Sequence, residues 1–307
     1  KWAKEQETGD GRQETEQRIE KKVVLFGIQH HYAHIGSVMA EYGLTDKVIG
    51  VAFDGTGYGT DGNLWGGEFL IADSDGFERA GQLRYVQLPG GEAAIREPWR
   101  TAVSFLADAF GADCWDGLTK AGFIDRYGRS AIQQVLQVRE IAEVSPLSSG
   151  AGRLFDAVSA LLGICERNTF EGEAAMALEA AAAGNVQEVY DIEFVGENGY
   201  TIVNFLPMFR AILRDCTDGQ DRGTISARFH NTVAAAVQGM VDKLHKRTGI
   251  RSVALSGGTF QNQYLLARAS RLLVDAGMTV YTNTKVPAND GGISLGQAYV
   301  VRERLKR

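Results

Sequence analysis

The sequence predicts an α/β fold, and three stretches carry that prediction. Residues 252–255 form a short apolar run, followed by the loop Ser256-Gly257-Gly258-Thr259, an amphipathic helix over 264–276 and a second run at 279–282, which reads as a β-α-β unit. Residues 48–53, VIGVAF, read as a buried strand that ends in Asp54-Gly55-Thr56-Gly57-Tyr58-Gly59. Residues 224–249 form a long amphipathic helix closed by basic residues and a glycine. With 307 residues, 44% of them hydrophobic, the chain has enough apolar side chain for two domains or one two-lobed unit.

Taken in order, residues 1–22 are charge-dense and interrupted by Gly9 and Gly11, which predicts a solvated helix or a linker. Residues 23–28 read as a short buried strand delivering the chain to Gln29–Gly36, QHHYAHIG. This segment holds His30, His31 and His34, three of the five histidines of the chain. On a helix His30 and His34 are i and i+4 and share a face, close enough for both imidazoles to hold one ion. A solvated or core-satisfied histidine pair meets the same spacing. His31 points elsewhere and has no assigned role.

Asp54 at the end of a strand, followed by glycines that let the backbone turn tightly, suits a phosphate or a metal, although a glycine-rich hairpin has the same appearance. The turn dipeptide Asp61-Gly62 leads into 64–72 and then 77–86, an antiparallel meander. Neither GKS nor GKT occurs, which excludes a Walker-type nucleotide site. A helix is expected over 98–110 with Pro98 in its first turn. Arg96 and Arg100 face either an anionic substrate or a neighbouring carboxylate, and 112–144 is expected to be helical and peripheral. In 148–163, SSGAGRLFDAVSALLG, a Ser/Gly loop runs into a helix with Asp156 near its start, and Glu173 opens another. Such acids either reach ribose hydroxyls or simply complement the helix N-terminus. Residues 186–195 and 199–205 alternate as a strand pair. His230 and His245 are read as structural. Asn262 follows the Gly257-Gly258 loop, and Asn289-Asp290-Gly291-Gly292 precedes a closing helix over 293–307.

A net charge of -6 and a pI near 5.5 argue against a nucleic-acid surface or a polybasic membrane surface. Cys114, Cys165 and Cys216 are odd in number and contain no CxxC, so neither a disulfide framework nor a zinc ribbon is indicated. With no apolar run of membrane-spanning length and no signal-peptide pattern, a cytoplasmic chain is expected.

Seven ordered motifs, QHHYAHIGSVMAE, FDGTGYGTDGNLWGGEFL, LPGGEAAIREPWR, AGRLFDAVSALLG, FEGEAAM, ALSGGTFQN and PANDGGISLGQA, resemble the C-terminal domain of the hydrogenase maturation carbamoyltransferase (HypF) family. The resemblance spans about residues 23–300. It implies a two-lobed ASKHA (actin, sugar kinase, Hsp70), ribonuclease H-like fold with nucleotide and metal in the interlobe cleft. The implied division is a charged segment at 1–22, a first lobe at 23–110 and a second lobe with a helical insertion at 111–307. Because the family's domain begins upstream of KWAKEQ, the first lobe is expected to be partial.

The implied activity is transfer of a carbamoyl group from carbamoyl-adenylate to the C-terminal cysteine of HypE, for the cyanide ligand of nickel-iron hydrogenase. A YrdC-like domain would supply the carbamoyl-adenylate from ATP and carbamoyl phosphate. By motif, His30, His34, Asp54 and Asp290 would act in catalysis as ligands of a divalent ion, Fe(II) or Zn(II) with Mg(II) as an alternative. Gly55, Thr56, Gly57, Gly152, Asp156, Glu173, Gly257, Gly258 and Asn262 would surround the nucleotide. Two other readings remain open: a small-molecule O-carbamoyltransferase, and a non-catalytic metal- and nucleotide-binding docking module.

Overall fold

Strand β1 (Val48–Tyr58) is the middle of the molecule because both of its edges are taken. On one side it pairs antiparallel with β2 (Leu64–Ala72), which pairs antiparallel with β3 (Phe77–Leu83). On the other it pairs parallel with β8 (Ser252–Ser256), and β8 pairs parallel with β9 (Thr279–Thr282). The hairpin β6 (Glu193–Glu197) and β7 (Tyr200–Asn204) extends the sheet beyond β3, and the short β4 (Val86–Gln87) and β5 (Leu147–Ser148) sit off this path. The order β6-β7-β3-β2-β1-β8-β9 contains the mixed five-strand core of a ribonuclease H-like, ASKHA-type fold. The computed structural model describes residues 24–197 and 199–306, so the charged segment 1–22 lies outside the described residues.

Twelve α-helices are present among the described residues: α1 (His30–Tyr42), α2 (Glu92–Arg96), α3 (Pro98–Phe110), α4 (Cys114–Lys120), α5 (Phe123–Tyr127), α6 (Arg129–Arg139), α7 (Ala151–Leu161), α8 (Glu173–Ala181), α9 (Leu206–Thr217), α10 (Arg222–Thr248), α11 (Gln263–Asp275) and α12 (Ile293–Leu305). Buried on both faces, β1 reads as a continuous apolar run. Ile49, Val51 and Phe53 join a large core with residues of α3, α7, α10 and α11. Val48 and Ala52 join a smaller one with Tyr32, Ile35, Val38 and Met39 of α1 and Tyr299 and Val300 of α12. Helix α1 starts where Gln29 accepts a hydrogen bond from the Tyr32 N–H and stops at Gly43 in the left-handed region.

Two strand expectations fail for tertiary reasons. Residues 24–28 are not a strand: Val24, Leu25 and Phe26 are exposed, and β1 has no free edge to offer them. Strand β6 begins only at Glu193, because 186–190 instead lies along α10, with Asn231 donating to the carbonyls of Val186 and Glu188 and Thr232 accepting from the Tyr190 N–H. Strands from both sides of the expected 110/111 boundary enter one sheet, so that boundary does not separate two sheets among the described residues. No helix among them is long and apolar enough to cross a membrane.

Candidate metal centre and adjoining cleft

Helix α1 presents His30 and His34 on one face, one turn apart, toward the end of β1. There Asp54 Oδ2 lies 3.0 Å from His30 Nε2 and 3.4 Å from His34 Nε2. Asp290 arrives from the turn before α12, its Oδ1 3.5 Å from each of the same nitrogens. One donor atom from each of the four residues lies within 4.8 Å of the others. Neighbouring ligands around an ion at about 2.1 Å stand roughly 3.0 to 3.4 Å apart, depending on whether the geometry is octahedral or tetrahedral. The imidazole–carboxylate separations match such an edge, and two nitrogens with two carboxylate oxygens form a donor set for a divalent transition ion.

The register of the sheet explains why Asp54 is held so firmly. Parallel pairing sets Ala52 opposite Ser256, the last residue of β8, so Asp54 stands beside the loop that follows β8, and the Gly258 N–H donates to Asp54 Oδ1 at 3.3 Å. That leaves Oδ2 for the imidazoles. Gly257 makes the turn at φ 104°, and a β-carbon there would stand 2.1 Å from the Phe53 carbonyl oxygen, so only glycine fits. Asp54 is buried, which by itself raises its pKa, but hydrogen bonds with His30 and His34 outweigh burial and hold the carboxyl well below the usual carboxylate range. The hydrogen-bonded Asp54 raises His30 above the ordinary histidine value, against burial, which lowers it.

His31 is fully buried, and burial drives its pKa down to about 3, so it is neutral. Its ring stands edge-on to His30 at 4.9 Å, and its Nδ1 is 3.2 Å from Gln29 Nε2. It forms part of the wall behind His30. Gly57 lies against both rings, where a β-carbon would come within 2.6 Å of each.

Beside the four donors opens a cleft of about 460 Å³, lined by Asp54, Gly55, Asp290 and residues of α7, α8 and the β8–α11 loop. Of the residues expected around a nucleotide, Gly55, Gly152, Asp156, Gly258 and Asn262 line it. Gly152 and Gly55 approach so closely that a β-carbon on Gly152 would stand 2.9 Å from the Gly55 Cα, which brings the start of α7 onto the end of β1. Asp156 is buried, which raises its pKa, and it pairs with Arg153 at 2.9 Å. Asn262 caps α11 by accepting from the Leu265 N–H and donates to His230 Nε2, while His230 Nδ1 lies 2.8 Å from the Ser226 carbonyl. This agrees with the structural reading of His230.

The structure does not bring Thr56, Gly57, Glu173 or Gly257 into the cleft lining. Glu173 turns back instead, accepting from the Thr169 N–H at 2.5 Å and from its hydroxyl at 2.8 Å. At the opening of α8 the cleft meets Glu171 and Gly172. Arg153 was not singled out by the sequence reading, yet it lines the cleft and is 6% exposed. The signal was present, since Arg153 and Asp156 are i and i+3 and must share a face of any helix.

Fold and site together define an ASKHA-type cleft protein with a four-residue candidate metal centre. Residues 50–297 match the family described as "Carbamoyltransferase, Kae1-like Domain, second subdomain". The chain is 37% identical to the carbamoyltransferase HypF of Synechocystis sp., over 88% of this chain and 36% of that protein. It is 37% identical to a carbamoyltransferase HypF homolog of Cupriavidus necator, over 91% of this chain and 71% of that protein. A crystal structure of full-length HypF in the phosphate- and nucleotide-bound form superposes with a TM-score of 0.85 at 42% identity, covering 91% of this chain and 36% of that one. The chain belongs to the HypF carbamoyltransferase family, and it spans 36% of the length of the Synechocystis relative.

Proposed function

We propose that this chain moves a carbamoyl group from carbamoyl-adenylate to the C-terminal cysteine thiol of a HypE-like protein, for cyanide ligand synthesis in nickel-iron hydrogenase maturation. The observation that carries this reading is the four-donor cluster, drawn from α1, β1 and the turn before α12, at the wall of a cleft of about 460 Å³. That volume suits a nucleotide-sized ligand. A HypF structure that the chain resembles is described as phosphate- and nucleotide-bound, which supports nucleotide chemistry in this family.

His30, His34, Asp54 and Asp290 are assigned as ligands of Fe(II) or Zn(II), which imidazoles favour over Mg(II). When bound, the ion supplies Lewis acidity toward the carbamoyl and phosphate oxygens. The protein does the rest. Asp54 is kept anionic and oriented by the Gly258 N–H. Arg153, paired with Asp156, keeps a permanent positive charge at the cleft wall, where a phosphate gains most from it. In the transfer, the acceptor thiol gives up its proton to solvent, its sulfur forms a bond to the carbamoyl carbon as the carbon–oxygen bond to the phosphate breaks, and AMP leaves with the electron pair. Cys114, Cys165 and Cys216 do not line the cleft, in keeping with a nucleophile that belongs to the partner. Carbamoyl-adenylate is supplied by a YrdC-like domain from ATP and carbamoyl phosphate, in the cytoplasm.

The test is mass spectrometry of a HypE-like acceptor after incubation with carbamoyl-adenylate and this chain loaded with Fe(II) or Zn(II). A gain of one carbamoyl group on the terminal cysteine, lost in Asp290→Ala and His34→Ala, is expected. An unmodified acceptor would overturn the reading.

A further inference from the structure

Glu41 lies at the far end of α1 from the histidines, and nothing in the chemistry described so far uses it. Its carboxylate nevertheless accepts five hydrogen bonds, all from one loop: from the N–H groups of Thr284 and Lys285 at 2.9 Å each, the Val286 N–H at 3.1 Å, the Thr284 hydroxyl at 2.9 Å and Asn283 Nδ2 at 3.2 Å. Three consecutive backbone N–H groups converging on one carboxylate form an anion-binding nest. Burial would raise the Glu41 pKa, but the N–H groups of Thr284, Val286 and Lys285 outweigh it and hold it at about 2, so the clamp is anionic at neutral pH.

The clamped loop is the one that delivers Asp290. From Asn283 it runs past Ala288, whose carbonyl accepts from the Gly257 N–H at 3.0 Å, to the turn that carries Asp290. Along α1 the residues that meet this loop are His30, His34, Ser37 and Glu41, at i, i+4, i+7 and i+11, so they form one stripe. His30 and His34 meet Asp290, Ser37 accepts from Asn283 Nδ2 at 2.9 Å, and Glu41 takes 283–286. Asp290 itself is 71% exposed in its side chain, so little packing fixes it in place. The other three donors sit on α1 and β1, and Asp290 alone opens a three-residue 3-10 turn at the end of that loop.

We propose that Glu41 is a positioning residue of the metal centre: by clamping 283–286 to α1 it sets where Asp290 stands relative to His30 and His34. The inference rests on the metal reading above and adds a residue to it. Glu41 touches no ligand; it acts through Asp290.

The experiment measures Mn(II) and Zn(II) affinity by calorimetry on the full 307-residue chain and its variants. Glu41→Ala weakens binding by about tenfold, as loss of an outer partner does at other metal sites, and Glu41→Gln, which keeps one acceptor oxygen, by less. In an Asp290→Ala background, Glu41→Ala causes no further loss. Hydrogen exchange on the metal-free proteins reports the loop directly, with the amides of Thr284, Lys285 and Val286 exchanging faster in both Glu41 variants. Wild-type affinity in Glu41→Ala would overturn the inference while leaving the metal reading intact, as would an equal loss in the Asp290→Ala background, the mark of general damage. Failure of wild type to bind either ion removes the metal reading before any Glu41 variant is compared, and this inference with it.

Discussion

Gly36 of α1 and Gly296 of α12 face each other where the two helices cross. A β-carbon on Gly36 would stand 3.2 Å from the Gly296 carbonyl oxygen, and one on Gly296 would stand 1.9 Å from the Ala33 carbonyl oxygen. The crossing joins the helix that carries the two histidines to the helix that begins just after Asp290. It therefore fixes one side of the site.

The two glycines should respond differently to alanine. Each substitution gains about 1 kcal/mol of helix propensity. At Gly296 the new methyl meets backbone that cannot yield, and overpacking of that kind costs about 1–3 kcal/mol or more. Gly296→Ala is thus expected to lower stability in urea unfolding and to weaken metal binding, whereas Gly36→Ala stays within about 1 kcal/mol of wild type. Equal stability of the two variants would contradict the crossing described.

Glu68 on β2 is fully buried and accepts from Arg79 Nε at 2.6 Å, from the Ser149 hydroxyl at 2.5 Å and from the N–H groups of Gly66 and Gly67. Removing one member of a buried ion pair costs about 3–5 kcal/mol because the other charge is left uncompensated. Asp61 also reaches Arg79, at 3.1 Å, so the low end of that range is expected for Glu68→Ala. Urea unfolding measures it. Ser149 stands just ahead of α7, so the same variant should also bind nucleotide more weakly.

Asp156 in the middle of α7 and Glu173 at the start of α8 both lie near the cleft, but only Asp156 lines it. Asp156→Asn should weaken binding of a non-hydrolysable adenylate by calorimetry. Glu173→Ala should leave that affinity unchanged, since its carboxylate turns back onto Thr169. A matched loss in both variants would return Glu173 to the nucleotide site.

Glu41 predicts a pH dependence whose sign is fixed. Its folded pKa of about 2 lies below the ordinary glutamate value of 4.5, so the clamp contributes stability that is present above about 4.5 and lost as pH falls through 2. Glu41→Gln is therefore less stable than wild type at neutral pH, and its melting temperature falls less steeply with acid, so the two curves converge near the acid end. Parallel curves would mean that the carboxylate has no preference for the folded state.

The contrast between what the sequence disclosed and what it concealed follows the range of the interactions involved. His30 and His34 were legible because helical spacing is local, and Asp54 because a carboxylate after an apolar run is a local pattern too, although β1 does not end there but runs on through the glycines to Tyr58. Residues 24–28 misled because an apolar run becomes a strand only where a sheet edge is free, and β1 is occupied on both sides. Which way Glu173 turns could not be read from the sequence, since it depends on the backbone at Gly172, whose φ is 79°. Glu41 sat in plain view seven residues after His34, but its partners lie more than 240 positions away. Only folding brings them together.

The uneven burial of the four donors carries a kinetic consequence. The His34 side chain is fully enclosed and that of Asp54 is 12% exposed, while that of Asp290 is 71% exposed. An ion held among them would have a floor of imidazole and Asp54 and a doorway at Asp290. Chelators would then strip it through that doorway at the pace of a side-chain and loop motion, without waiting for the sheet to open. The site would refill just as readily, a socket for an exchangeable ion and not a rivet of the fold.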